Sequence, residues 1–390
     1  MNTQLIEPAN RVQSVTEYYF STKLAEIRSM IQKGQPVINL GIGNPDQAPS
    51  ENTINGLLHA VNDAQNHGYQ SYTGIPELRN AFADWYKKYY KVKLNPENEI
   101  LPLLGSKEGI MHISLAFLNV GDEVLVPNPA YPAYRAVASL CEAKAVTYNL
   151  SEEDNWCPDF QQLEAMNLSR VKLMWVNYPN MPTGKAASKL LFERLVAFGK
   201  KHRILIVNDN PYSLISSGEP LSLLSVDGAK EVAIELNSLS KSHNMAGWRV
   251  GMIGANPQFI QAILRVKSNM DSGMFKPIQL AAAEALKNSE SWYQQQRSVY
   301  LDRKKIGMQI LDELNCAYDA QSSGMFIWAK IPVDAISSKD FSNAILEKYK
   351  VFIAPGFIFG SQGEGFIRLS LASNNELLKE ALTRLKNNTL

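Results

Sequence analysis

Residues 204–212 read Ile204-Leu205-Ile206-Val207-Asn208-Asp209-Asn210-Pro211-Tyr212, an unbroken apolar run that turns abruptly to polar and turn-forming residues. A continuous run, rather than an alternating one, is how a strand buried on both faces reads. Working outward, similar runs stand at 100–104, 124–126, 173–176 and 232–236, with helical stretches between them. Strands separated by helices imply βαβ crossovers and a mostly parallel sheet, so the fold class is α/β. Past about residue 285 the rhythm changes. The stretches 325–331 and 366–371 read as antiparallel strands, and a helix opened by a capping box from Ser373 to Glu376 ends the chain. Near the other end Leu24, Ile27, Met30 and Ile31 mark one helical face, which Gly34 and Pro36 terminate. The expected organisation is a large domain at 46–285 and a smaller α+β domain built from both chain ends. Residues 1–45 would supply an arm and part of the small domain, and 286–390 the rest.

At 390 residues the chain suits two domains. With 45% hydrophobic and 20% charged residues it has the balance of a globular protein. Lys plus Arg number 39 against 38 Asp plus Glu, which gives no general pull toward nucleic acid or an anionic membrane. The apolar stretch 110–120 is interrupted by His112, Ser114 and Asn119, so no transmembrane helix is expected. MNTQLIEPANRVQ at 1–13 has no basic-then-apolar leader pattern. Cys141, Cys157 and Cys316 are far apart, and no histidine pair has metal-ligand spacing. The expectation is a cytoplasmic protein with no metal.

In an open parallel sheet, ligands gather outside the carboxyl ends of the strands. After 100–104 comes Gly105-Ser106-Lys107-Glu108-Gly109 at a helix start, where free amides suit a phosphate or form an ordinary cap. After 124–126 comes Pro127-Asn128-Pro129-Ala130-Tyr131-Pro132, which presents an aromatic ring for a ligand or for packing. After 204–207 comes Asp209, a catalytic carboxylate or a helix cap. The most informative stretch is Ser238-Leu239-Ser240-Lys241-Ser242-His243-Asn244-Met245-Ala246-Gly247-Trp248-Arg249. A lysine just past a buried strand sits where desolvation lowers its pKa and frees its amine as a nucleophile. A phosphate cradle, an aromatic platform, a strand-end carboxylate, an amine and an arginine are together the parts that hold pyridoxal 5'-phosphate.

On these motifs, and on INLGIGNPD at 38–46 and FIRLSLA at 366–372, the chain resembles the class I/II aminotransferases of the fold-type-I pyridoxal-phosphate enzymes. Within the family it is similar to members acting on aspartate, alanine or diaminopimelate. The resemblance implies a mostly parallel, seven-stranded-type sheet flanked by helices, and transfer of an amino group between an L-amino acid and a 2-oxo acid. It implies Lys241 as the Schiff-base lysine and proton shuttle, Asp209 at the pyridine nitrogen and Tyr212 at the phenolic oxygen. Tyr131 would stack on the ring, while Gly105, Ser106, Lys107, Ser238 and Arg249 would hold the phosphate. Arg368 would take the substrate α-carboxylate as a bidentate pair, with Ile42 and Gly43 lining the same pocket. Tyr72 would reach the phosphate of a neighbouring subunit, which implies a homodimer with shared sites. One position departs from the family pattern. Met181 stands where the family carries an Asn that donates to the phenolic oxygen, and a thioether cannot donate. Asn177, counted with the cofactor-binding residues, or Asn180 is left to substitute.

Other readings lack their partners. Ser238-Leu239-Ser240-Lys241 fits an SxxK pattern, but no Lys-Thr-Gly follows. Gly41-Ile42-Gly43 is no dinucleotide fingerprint, since Asp46 stands at the third glycine, and Gly184-Lys185 lacks phosphate-loop spacing. Lys87-Lys88-Tyr89-Tyr90-Lys91-Val92-Lys93 reads as a solvated helix end rather than a nucleic-acid contact. A pyridoxal-phosphate-binding regulator would carry a DNA-binding domain, for which the residues before 40 are expected to be too few. β-Lyases and decarboxylases of the same fold are the alternative within enzymes. No second arginine for a distal carboxylate is placed, and Lys276 in the stretch 267–277 reads as a surface lysine.

Overall fold

The computed structural model describes residues 6–13, 15, 19–216 and 218–387. Residues 1–5, part of the stretch read for a leader, lie outside the described residues. A short strand, β1 (Ile38–Asn39), comes first. Seven strands then build the main sheet: β2 (Ile100–Leu103), β3 (Glu123–Asn128), β4 (Lys144–Asn149), β5 (Val171–Val176), β6 (Leu205–Asp209), β7 (Ala233–Ser238) and β8 (Gly251–Gly254). Their spatial order is β2-β8-β7-β6-β5-β3-β4. Pairs from β4 through β7 are parallel, and β8 alone runs antiparallel to both neighbours. Along β6 the side chains alternate between two cores. Ile206 packs with Phe192 and Leu195 on one face, while Leu205 and Val207 pack with Ile113 and Val126 on the other.

Two strands of this sheet have no counterpart in the apolar runs. β4 is an edge strand with a half-exposed face, and its Lys144 and Asn149 meet solvent. β8 is only Gly-Met-Ile-Gly, too short and too glycine-rich to carry a strand signature.

The second sheet has the order β12-β13-β10-β9, from β9 (Ala317–Tyr318), β10 (Phe326–Lys330), β12 (Ala354–Pro355) and β13 (Phe366–Ser370). The expected antiparallel pair is β10 with β13, in a register that sets Trp328 opposite Arg368. β1 pairs in parallel with β11 (Val351–Phe352), so the two chain ends meet as expected. The helix Glu290–Glu313 joins the cores, with Tyr293 in the large one and Tyr300, Ile310 and Leu311 in the smaller one. Arg303 on this helix forks onto Asp46, with both N–O distances 2.8 Å, and fixes the loop after β1.

Three local expectations are corrected. The last helix is Asn375–Asn387, and its cap is Asn374, whose Oδ1 accepts from Leu377 N. The Ser373 hydroxyl instead donates to the Asn39 carbonyl, so the capping box does not form. In the helix Tyr19–Gln32, Ile27 is buried but Ile31 faces solvent. The basic run is only partly a solvated end: its lysines are exposed, while Val92 and Tyr90 are buried, the latter accepting from Asn237.

Candidate active site

At the carboxyl ends of β2, β5, β6 and β7 the sheet opens on a cavity of about 470 Å3. It is closed from the other side by the loop after β1, by the helix Tyr19–Gln32 and by β13. Of the residues singled out from the sequence, Ile42, Gly43, Ser106, Lys107, Tyr131, Asn177, Asp209, Tyr212, Ser238, Lys241, Arg249 and Arg368 line this cavity. Gly105 and Tyr72 do not. Gly105 lies behind the wall at φ +86°, and a Cβ there would collide with the Arg249 guanidinium. Tyr72 is 44% exposed on the outside, where its carbonyl accepts from the Lys267 ammonium at 3.1 Å.

The helix Ser106–Phe117 begins at Gly105 without a side-chain cap, so its first amides stay open to an anion. Arg249 comes over that end, with Nη1 donating to Ser240 Oγ at 3.3 Å and to the Ala246 carbonyl at 3.0 Å. Asp209 ends β6. Tyr134 donates to its Oδ2 at 2.8 Å, while Oδ1 is buried with no protein partner. Burial pushes this carboxyl up to about 6, and the Tyr134 bond pulls the other way. Lys241 donates to the Gly43 carbonyl. Burial, then the charges of Arg368 and Arg249, lower its pKa to about 8.

Arg368 stands on β13, 5% exposed. Nη2 donates to the Gly41 carbonyl at 2.7 Å and Nη1 to the Met181 sulfur at 3.1 Å. Its guanidinium carbon lies 4.0 Å from the Phe326 ring centroid and 4.7 Å from that of Phe359. Gly43 must lack a side chain, since a Cβ would run into the Phe326 ring. Both asparagines near Met181 already make bonds within the protein. Asn177 donates to the Asp209 carbonyl at 2.5 Å and accepts from Met181 N at 2.8 Å. Asn180 lies outside the cavity lining, donating to the Asn177 carbonyl and accepting from Thr183.

Several site residues escaped the sequence reading. Tyr134 stacks flat on Trp175, centroids 4.9 Å apart, which aims its hydroxyl at Asp209. Its place three residues after Tyr131, in the first turn of the helix Ala133–Leu140, was the available signal. Behind Lys241 runs a directed chain of hydrogen bonds. Trp85 Nε1 donates to Tyr293 Oη, whose own proton therefore goes to His243 Nε2, 2.7 Å away. His243 Nδ1 then donates to Ser242 Oγ, which donates to the Ser238 carbonyl. Burial depresses the imidazole pKa to about 3 and keeps it neutral. A group of metal-type side chains, Glu108, His112 and Asp271, also converges outside the cavity, where Lys267 Nζ is already paired with Asp271 at 2.8 Å.

The residues fit pyridoxal phosphate: an orphaned buried carboxylate oxygen suits a ring N–H, and an uncapped helix end with Arg249 suits a phosphate. A family model for class I and II aminotransferases matches residues 35–385. The chain belongs to the class I and II aminotransferases. It is a pyridoxal-phosphate-dependent enzyme that moves an amino group between an amino acid and a 2-oxo acid. Among curated relatives it is 41% identical to an LL-diaminopimelate aminotransferase of Dehalococcoides mccartyi, over 97% of this chain and 98% of that one. Among solved structures it is similar to apo-BacF from Bacillus subtilis, with 34% identity, a TM-score of 0.94 and 99% of each chain covered. It is also similar to an aromatic aminotransferase from Pyrococcus horikoshii, with 30% identity, a TM-score of 0.86, and 93% and 98% covered.

Proposed function

We propose that Lys241 is the amine that bonds the cofactor's aldehyde carbon and afterwards carries the migrating proton. The bound cofactor supplies an electron-withdrawing ring that takes up charge from the substrate α-carbon. Asp209 holds the proton on the ring nitrogen, and Tyr212 donates to the phenolic oxygen. Tyr131 covers one ring face. The amides at Ser106 and Lys107, admitted by Gly105, bind the phosphate together with Ser238 and Arg249. Arg368 takes the substrate α-carboxylate in a pocket floored by Ile42 and Gly43. Asn177 acts through the backbone it ties together at Asp209 and Met181.

The observation that carries this reading is the meeting of Lys241, Asp209 and Arg368 in one cavity, from the helical turn after β7, the end of β6 and the middle of β13. An ammonium brought to about 8 is partly neutral at physiological pH, as a nucleophile requires. In this reading residues 46–285 form the cofactor-binding unit, 1–45 supply an arm and part of the smaller unit, and 286–390 supply the rest of it.

The working form in this reading is a homodimer in the cytoplasm. Tyr69, Tyr72, Met270 and Phe275 are exposed large side chains on two adjoining stretches, a surface suited to a second copy of the chain. The three cysteines are free, as a reducing compartment keeps them, and no helix among the described residues is long and apolar enough to cross a membrane. Borohydride reduction of the cofactor-loaded enzyme followed by peptide mapping tests the assignment of the lysine. The modified residue is expected to be Lys241, and label on another lysine overturns the reading.

A further inference from the structure

We propose that His243 is a positioning residue: through Ser242 it fixes the turn that presents Lys241 and Ser238 to the cofactor. The inference rests on the role given above to Lys241. Lys241 sits in the four-residue helical turn Leu239–Ser242, which opens directly off the end of β7. So short a turn does not hold itself, because helix formation begins with an unfavourable nucleus. On one side of it Ser238, Ser240 and Lys241 line the cavity, while Ser242 and His243 lie outside the lining. Ser238, Ser242, His243 and Tyr293 are all buried within the one chain.

The proton count fixes what the imidazole does. Ser242 Oγ spends its one proton on the Ser238 carbonyl at 3.2 Å, so its 2.8 Å bond with the ring uses a proton on His243 Nδ1. Burial keeps the ring neutral, which leaves Nε2 to accept from Tyr293 at 2.7 Å. Both ends of the ring require the same tautomer. A helical serine commonly bonds the carbonyl four residues back without help. Here the imidazole makes a second bond to that hydroxyl and removes its rotational freedom. His243 is held in turn. Trp292 stacks on it at 24°, with centroids 5.9 Å apart, and the Trp85 ring lies 5.7 Å away. Beside it Asn244 Nδ2 donates to Gln296 Oε1 at 3.0 Å. Trp292, Tyr293 and Gln296 all belong to the helix Glu290–Glu313, which therefore clamps the chain just past Lys241. A fixed turn keeps the amine within reach of the aldehyde carbon, and that proximity is what speeds the bond.

The test adds pyridoxal phosphate to the cofactor-free enzyme and follows the visible band as the amine bonds the aldehyde carbon and water leaves. An asparagine amide stands where Nδ1 does, and a glutamine amide where Nε2 does. His243→Asn therefore keeps the bond to Ser242 and loses Tyr293, whereas His243→Gln keeps Tyr293 and loses Ser242. Bonding is expected to be about 10-fold slower in His243→Gln and in Ser242→Ala. The double variant should be no slower than either, since both break one link. His243→Asn is expected to stay within about 2-fold of wild type. The Asn and Gln changes each give up one hydrogen bond, so their urea midpoints should fall alike. Equal rates in those two variants, or rates that simply follow the urea midpoints, overturn the proposal. Borohydride mapping of the wild type separates the two levels. Label on another lysine removes the reading of Lys241 and this proposal with it, while equal rates with Lys241 labelled remove the proposal alone.

Discussion

The Met181 sulfur accepts from Arg368 Nη1, so this side chain touches the residue proposed to take the α-carboxylate while offering no donor of its own. The neighbouring amides are engaged: Asn177 with the Asp209 carbonyl and Asn180 with the Asn177 carbonyl. An asparagine at 181 would accept from Arg368 through its oxygen and donate through its nitrogen to the cofactor's phenolic oxygen. A hydrogen bond to a charged group contributes about 1.5–3 kcal/mol. At ~1.36 kcal/mol per pKa unit, the lower end of that range corresponds to about one unit. Met181→Asn is therefore expected to lower the midpoint of the cofactor's visible pH titration by about one unit. An unmoved midpoint would mean that another donor already serves that oxygen.

At the scale of elements, the phosphate end depends on how the helix Ser106–Phe117 begins. Gly105 has φ +86° and ψ 153°, a conformation essentially reserved for glycine. A methyl group there would also push on Arg249, the side chain that covers the open amides. Gly105→Ala is expected to cost about 1–3 kcal/mol of stability in urea unfolding. It should also weaken cofactor binding in a spectral titration of the apoenzyme. Unchanged cofactor affinity would remove Gly105 from the phosphate site. The same scale shows why some elements were legible and others were not. β5 and β6 carry continuous apolar runs because both faces are covered, whereas β4 lies at an edge and β8 is held by its neighbours rather than by its composition. The cap at Asn374 was missed for a related reason: Ser373 is occupied by Asn39, more than 300 residues away.

At the scale of the whole molecule, holding Asp209 ready for a ring N–H has a cost in the apoenzyme. Its folded pKa of about 6 lies above the ordinary 3.8, so the folded state binds the proton more tightly than the unfolded state. The destabilisation is absent below the lower value, grows as pH rises between the two and is complete above the higher one. Two units correspond to roughly 3 kcal/mol. Asp209→Asn keeps an acceptor for Tyr134, so the apoenzyme variant should be more stable by up to about 3 kcal/mol at pH 8, and by about half that at pH 5. Urea unfolding at the two pH values measures this, and a gain independent of pH would show that ionisation is not its source. The quaternary arrangement has its own test. A Lys241→Ala chain mixed with a Tyr72→Phe chain should recover activity, because one hybrid site would hold both native residues. An enzyme that sediments as a monomer and is fully active when dilute would exclude shared sites.

What the sequence by itself determined was the order of buried strands and the chemistry at their ends. Both follow from local chain properties: a continuous apolar run, its direction and the residues just beyond it. Ser106, Asp209, Ser238 and Lys241 were legible for that reason, and so was the antiparallel pair that carries Arg368. The tertiary structure alone decided what those groups meet. It set Arg368 against Gly41 and Met181, laid Tyr134 on Trp175 beneath Asp209, and tied Asn177 to the backbone and His243 to Tyr293. Such contacts join residues tens to hundreds of positions apart, and they depend on sheet register and ring packing. Neither leaves a period in the sequence.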